Sequence, residues 1–310
     1  MSTKQTLTFV LSCLLLASCS ASRSTKRAQA ITGTKTEKFD SQYAGPKKRI
    51  GVVDFQNKTA YGQARLGTAA SDILITELAK TGRFVVIERD KMDKIMDEQK
   101  FDLTGAVDPD TAVKMGKILG LQAIVTGAVS QFGVKTSGSD YLIVQSKKQL
   151  AECTIDVRLV DAETGAVLYA DSGKGVSKTG TGSFLGMGTR GGYDETMEGE
   201  ALRAAIVELV DNIVSQVDKK PWSCRIAEVD GDNIYIDAGL QSGLKEGLKL
   251  ELFQLGKEIK SPTTGLVIGR AETRIGEAKV RSFFGDDGAV AGLSKGAVPS
   301  RGDLCRLAQD

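Results

Sequence analysis

Histidine is missing from all 310 residues. Its absence removes the side chain that most often acts as general base, activates a nucleophile or ligates a metal. Glu, Lys and Tyr remain available, yet no constellation of them converges; Asp54 and Glu88, near strand ends, read as surface or capping carboxylates. There is no Cys-X-X-Cys spacing, so a zinc site is not expected. The run GxxxxGK[ST] is also lacking, so Gly173-Lys174-Gly175 and Gly180-Thr181-Gly182 only imitate a phosphate loop. Charge of either sign is not in excess: the formal net charge is +2, which leaves neither a nucleic-acid footprint nor an acidic tail. Proline is scarce, five against 35 glycines, which points to many turns. These gaps set the first expectations: no catalytic residue, no cofactor, no metal and no nucleic acid.

What is present begins at the N-terminus. Lys4 opens a positive n-region, and Leu7 to Ala17 is an apolar stretch of signal-peptide length, too short for a spanning helix. Leu16-Ala17-Ser18-Cys19 then matches the bacterial lipobox. Small residues admit the peptidase, and the thiol of Cys19 receives diacylglycerol. Val10-Leu11-Ser12-Cys13 has the same pattern but leaves almost no apolar segment before it. Residues 1–18 are therefore expected to be a lipoprotein signal peptide and Cys19 the lipidated residue. Three acyl chains anchor stably where one is marginal. Ser20 replaces the aspartate that retains many lipoproteins in the inner membrane, which points to the outer membrane, facing the periplasm. Residues 19–47 lack periodicity and read as a flexible tether.

After acylation three thiols remain: Cys153, Cys224 and Cys305. An oxidising compartment permits one bridge and one leftover. Cys224 and Cys305 lie on the first and last strand-like segments of the C-terminal unit, and those ends are neighbours if the unit closes on itself. A bridge between them and two free thiols both stay open. Cys153, on an alternating strand, reads as a buried free thiol.

Two folded units are expected from the length. In the first, residues 48–220, Arg49 to Phe55 is a short apolar strand and residues 66 to 81 a helix, with Leu74 and Leu78 one turn apart and Gly82 as its stop. Phe84 to Ile87 is a buried-type strand. Asp90 opens a helix carrying Met92, Ile95 and Met96, and Pro109 opens another that ends at Gly120. Gln122 to Phe132 returns as a strand. Residues 151–161 and 166–174 form a hairpin through Asp161-Ala162-Glu163-Thr164-Gly165. Leu202, Ile206, Leu209 and Ile213 make one stripe of a closing helix. This order describes an α/β sandwich with helices against a mixed sheet.

Pro221-Trp222 reads as a hinge. Beyond it, residues 223–310 carry short strands at Arg225–Val229, Asn233–Asp237, Lys249–Phe253, Leu266–Arg270 and Ala278–Phe283, with turn signals at Asp230-Gly231-Asp232 and Thr264-Gly265. The expectation is a small all-β, barrel-like domain.

The segments Arg49 to Phe55, Ile73 to Leu78, Phe84 to Arg89, Ile124 to Gly127 and Asp156 to Gly165 together resemble the CsgG family of curli-secretion lipoproteins, over residues 48–218. The resemblance implies a TolB-N-like periplasmic α/β domain that assembles into a homo-oligomeric ring, passing or assembling exported protein subunits. In the curli member each subunit extends two hairpins into a shared membrane barrel. Gly-Leu-Lys-Glu-Gly and the Gly302-Asp303 ending are similar to the C-terminal domain of the flagellar outer-ring protein FlgT, which implies a docking or ring-contact module for an envelope machine.

Residues 133–150 and 175–197 are the candidate hairpins. A membrane strand takes about 9–11 residues with one apolar face. The first segment alternates weakly and carries Lys147 beside Lys148. In the second, Ser183 to Gly188 alternates after Phe184, which makes Phe184, Leu185 and Met187 the possible membrane-facing residues. The loop Gln56 to Arg65 is short, with Tyr61 its only aromatic, so the family's constriction does not carry over. A secretion channel and a pore-less periplasmic scaffold both remain open, as do solvated loops for the glycine-rich segments. One expectation stands apart from that choice. Metabolic labelling with palmitate should mark the wild-type chain, and Cys19→Ala should remove the label and the membrane association together.

Overall fold

The computed structural model describes residues 29–30, 43, 45–87, 109–141, 144–184, 187–188, 196–263, 265 and 267–308. The first unit runs β1 (Gln29–Ala30), β2 (Lys48–Val52), β3 (Gln56–Asn57), α1 (Arg65–Lys80), β4 (Phe84–Ile87), α2 (Pro109–Leu119), β5 (Ala123–Tyr141), β6 (Val144–Asp161), β7 (Val167–Phe184), β8 (Met187–Gly188) and α3 (Thr196–Asp218). Its sheet has the order β1-β7-β6-β5-β2-β4. β2 runs parallel to β4 and β5, while β5, β6 and β7 are antiparallel. The fold is mixed α/β, with two sheets and few helices.

Alternation distributes the core over both faces of this sheet. Ala151, Cys153, Ile155, Val157 and Leu159 of β6 face one side with α1 and α3, whereas Val160 faces the other with Ala112 and Met115 of α2. Leu66, Ala70, Leu74 and Leu78 repeat every fourth residue along α1 and are all buried. On α3 the stripe of Leu202, Ile206, Leu209 and Ile213 is buried, as the spacing predicts. Lys48 Nζ donates to the Val217 carbonyl at 2.7 Å, so a cation satisfies the C-terminal end of α3.

Glycine sets how closely α3 approaches. A Cβ on Gly175 would lie 1.9 Å from the Ala201 carbonyl oxygen, and one on Gly173 would lie 2.2 Å from that of Ala205. The run that imitates a phosphate loop is thus a paved surface on which the helix backbone rests.

The second unit runs β9 (Ser223–Asp230), β10 (Asn233–Ile236), β11 (Lys249–Lys260), β12 (Val267–Phe284), β13 (Gly288–Gly296) and β14 (Leu304–Leu307). Their pairings follow the order β10-β13-β12-β11-β14-β9 and return to β10, a closed ring. Inside lie Ile226, Ile236, Leu250, Leu252, Val280 and Ala291.

Several expectations are corrected. The strands expected at Leu266–Arg270 and Ala278–Phe283 are one strand, β12, whose irregular pairings with β11 and β13 absorb the break in alternation. The strand expected over 151–161 starts earlier, at Val144, and the one expected over 166–174 ends later, at Phe184, because the segments first set aside as loops or separate hairpins pair continuously with them. Part of the tether is ordered: Gln29 and Ala30 pair with Lys178 and Ser177. The helix expected after Asp90 lies outside the described residues.

Gly175→Ala is expected to lower stability by about 2–3 kcal/mol through overpacking. Gly133→Ala, whose Cβ would meet nothing within 4 Å, should change it by less than about 0.5 kcal/mol. Thermal melts of the two variants check the contrast; equal shifts would mean that the helix can simply move away.

Candidate functional site: the strand arm and the junction of the two sheets

α3 covers the sheet as far as Ser177, whose hydroxyl donates to Glu200 at 2.8 Å. Beyond it β5, β6 and β7 continue as a three-stranded arm. The ladder is unbroken to the row Tyr141, Val144 and Phe184, in which Val144 pairs with both others. From Lys135 to Tyr141 the arm projects seven residues, roughly 23 Å at 3.3 Å per residue.

Register decides what each face offers. An irregularity between Val129 and Gln131 turns the strand, so Phe132 and Val134 pack on the core. On the helix side of the arm the rows are then Thr136, Gln149 and Thr179; Gly138, Lys147 and Thr181; Asp140, Gln145 and Ser183. None of these residues is a hydrophobic one: beside Gly138 all are hydroxyl, amide or charged residues. The opposite face carries Lys135, Leu150 and Lys178; Ser137, Lys148 and Gly180; Ser139, Ser146 and Gly182; and the apolar tip row.

Of the candidate membrane-facing residues, Phe184 and Met187 fall at that tip. Phe184 pairs with Met187 across two intervening residues. Leu185 lies outside the described residues. Phe184 and Met187 therefore stand on two successive paired strands, β7 and β8.

At the root of the arm, the loop after β3 is tied down by hydrogen bonds within the chain. Asn57 Oδ1 accepts from the Thr59 amide at 3.0 Å and hydroxyl at 2.7 Å, and Asn57 Nδ2 donates to the Tyr61 carbonyl at 2.5 Å. Tyr61 packs on Phe132 with ring centroids 4.8 Å apart, and its hydroxyl donates to Glu198 at 2.8 Å. Glu198, buried in the first turn of α3, also accepts from Arg65 at 2.7 Å. The sequence reading missed Glu198. Its signal was available: a carboxylate four residues before Leu202 sits on the buried stripe and needs a partner. Asp54 accepts from the Ser71 hydroxyl at 3.1 Å; Glu88 lies outside the described residues.

The junction between the two sheets is polar and specific. Lys47 N donates to the Ser242 carbonyl at 2.8 Å, and Trp222 Nε1 donates to the Lys47 carbonyl at 3.0 Å. Arg49 reaches from β2 to Asp287 at 2.9 Å and to Asp237 at 3.6 Å. Asp287 also accepts from the Gly239 amide at 2.8 Å and the Ser242 hydroxyl at 2.5 Å. Burial pushes the Asp287 carboxyl up, but these hydrogen bonds outweigh it and hold it below its ordinary value. At Asp237 burial wins and the carboxyl is raised. A cleft of about 130 Å3 lies here, lined by Arg49, Gln122, Trp222, Cys224 and Asp237 among others.

All three described cysteines are buried and unbonded in the structure. Burial pushes the Cys153 thiol up to about 12. Cys19 lies outside the described residues. Among the described residues no group of three or more His, Cys, Asp or Glu side chains is placed to hold a metal ion. None of the described helices is long and apolar enough to cross a membrane.

With this geometry in view, the chain compares with known proteins as follows. A family model described as curli production assembly/transport component CsgG matches residues 34–244. A protein of Neisseria meningitidis serogroup B that is named as a lipoprotein is 28% identical over 208 residues, 64% of this chain and 89% of the relative. Among solved structures, lipoprotein GNA1162 of Neisseria meningitidis is 16% identical at TM-score 0.32, covering 56% of this chain and 99% of its own. The PelC dodecamer of Paraburkholderia phytofirmans is 16% identical at TM-score 0.29, covering 62% and 96%.

The junction is expected to respond to acid. A carboxyl held below its ordinary value of 3.8 lends stability that is complete above that value and lost as pH falls through the depressed one. Asp237, raised, protonates first and leaves Arg49 to Asp287 alone. Proteolysis at the Pro221-Trp222 hinge should thus stay slow down to about pH 4 and accelerate below it. Asp287→Asn should remove about 2 kcal/mol at pH 7 and flatten that acid response. A variant that keeps the wild-type profile would assign the response to another group.

Proposed function

The chain belongs to the CsgG family, and on that premise we propose that it is a lipid-tethered assembly subunit whose copies associate at the outer-membrane surface, facing the periplasm, without sending a barrel through the bilayer. The CsgG family is not an enzyme family. The observation that carries the pore-less reading is the polarity of the arm. A membrane strand pairs one apolar face with one polar face over a band roughly 25 Å tall. Here the helix-side face is polar throughout, which suits a lumen or a partner subunit. The other face is apolar in its tip row but carries Lys135, Lys148 and Lys178 behind it. Each lysine turned to lipid near the midplane costs about 2–4 kcal/mol, repeated in every subunit of a ring.

On this reading the arm joins neighbouring copies through strand edges and polar rows, and the tip row touches the headgroup region. The barrel then serves as a contact module toward an envelope machine or an exported protein. Tyr61, held by Glu198 and Phe132, is a structural residue of the arm's root and not a free aromatic gate.

One observation favours the channel instead. Counted from Gly133, β5 contributes nine paired residues up to Tyr141, the lower end of the about 9–11 a membrane strand takes. Conductance separates the two. Purified lipidated oligomers in planar bilayers should give no stable unitary steps, and Leu185→Lys with Met187→Lys should remain membrane-bound through the lipid. Stepwise conductance in the wild type that the double variant abolishes would replace the scaffold with a channel.

A further inference from the structure

We propose that Cys224 and Cys305 form an intramolecular disulfide that locks the first barrel strand to the last. The proposal rests on the exported, lipid-anchored reading above, because an oxidising compartment is required. β9 and β14 pair antiparallel, and Cys305 stands opposite Cys224 in that register. Directly opposed residues of an antiparallel pair have Cα atoms about 4.5–5.5 Å apart, inside the span a disulfide bridges. Both side chains belong to the barrel core. Cys153 is no competitor, since it is buried in the core of the other sheet.

The bond forms by exchange with a protein disulfide of the compartment as oxidant. One Cys thiolate attacks a sulfur of that disulfide, giving a mixed disulfide and releasing one oxidant thiolate. The second Cys thiolate attacks the first Cys sulfur and releases the other. Two protons leave the chain, and two electrons reduce the oxidant to its dithiol. Access fixes the timing. Cys305 is fully buried, and Cys224 reaches outward to the junction cleft alone among the two. Burial also raises the Cys224 thiol well above its ordinary value, so thiolate is scarce once the fold is complete. Oxidation therefore belongs to folding, before the α/β unit closes over the entrance of β9.

The test uses the full chain recovered from membranes, with its lipid verified by mass. After acid quenching and denaturation, a maleimide–polyethylene glycol conjugate should add one label, at Cys153, before reduction and three after it. A peptide containing Cys224 linked to one containing Cys305 should appear in a non-reducing digest. Reduction should lower the melting temperature of the barrel by on the order of 10 °C or more, given a closed loop of about 80 residues. Cys224→Ala with Cys305→Ala should show no response to reductant, and Cys153→Ala should respond as the wild type does. Three labels on lipidated, unreduced protein would overturn the bond and leave the export reading intact. Five labels on protein without lipid, recovered from the cytosol with Cys13 and Cys19 also free, would overturn the export reading and the bond with it. Should the double alanine variant fail to fold, labelling of the wild type still decides.

Discussion

The close seating of α3 on the glycine face of β7 is the constraint on which the remaining architecture hangs. Because Gly173 and Gly175 carry no side chain, the helix backbone at Ala201 and Ala205 lies directly on the strand. That seating places Glu198 at one end of the helix, where Tyr61 and Arg65 reach it, and Val217 at the other, where Lys48 caps it. The two ends then do different work. The N-terminal end braces the root of the arm; the C-terminal end delivers the chain through Pro221 into β9 beside the Arg49 contacts. A helix shifted outward by one methyl group would loosen both at once.

The arm and the junction follow opposite electrostatic rules. At the junction, charges are partly buried and each has several partners, so Arg49 and Asp287 fix a relative orientation. On the arm, charges and hydroxyls are arrayed in repeating rows, with little apolar surface to hide. Such a surface satisfies itself in water or against another polar edge. The contrast separates a body held by buried, multiply bonded charges from a projecting part whose polar rows lie along its strands.

How far the sequence foretold this depends on which physical signal each region carries. The stripe Leu202, Ile206, Leu209 and Ile213 and the strand Phe84 to Ile87 were legible because burial alone dictates their spacing. The strand ends were not. Residues 133–150 and 175–184 have polar and glycine-rich composition, which reads as loop, while their order comes from long-range pairing with each other. Likewise β12 was split in two because Glu272 and Arg274 interrupt its apolar pattern, although both lie on an exposed ribbon paired to β11. Gly173 and Gly175 were noticed for the wrong reason: their role depends on a helix some thirty residues later in the chain, which no local window contains. Asp287, Glu198 and Arg49 escaped for the same cause, since each acquires its partner from another element.

The neighbouring of β9 and β14 has a mechanical side. The two strands are antiparallel, and Ser223, the first residue after the hinge pair, sits opposite Arg306 near the other end of the chain. Tension between the α/β body and anything gripping the C-terminus thus enters the ladder at its open end and pulls it apart rung by rung, the weakest direction for a strand pair. The second rung is the cysteine pair. A covalent link there would stop the unzipping after a single step and turn the softest seam of the barrel into a fixed strut.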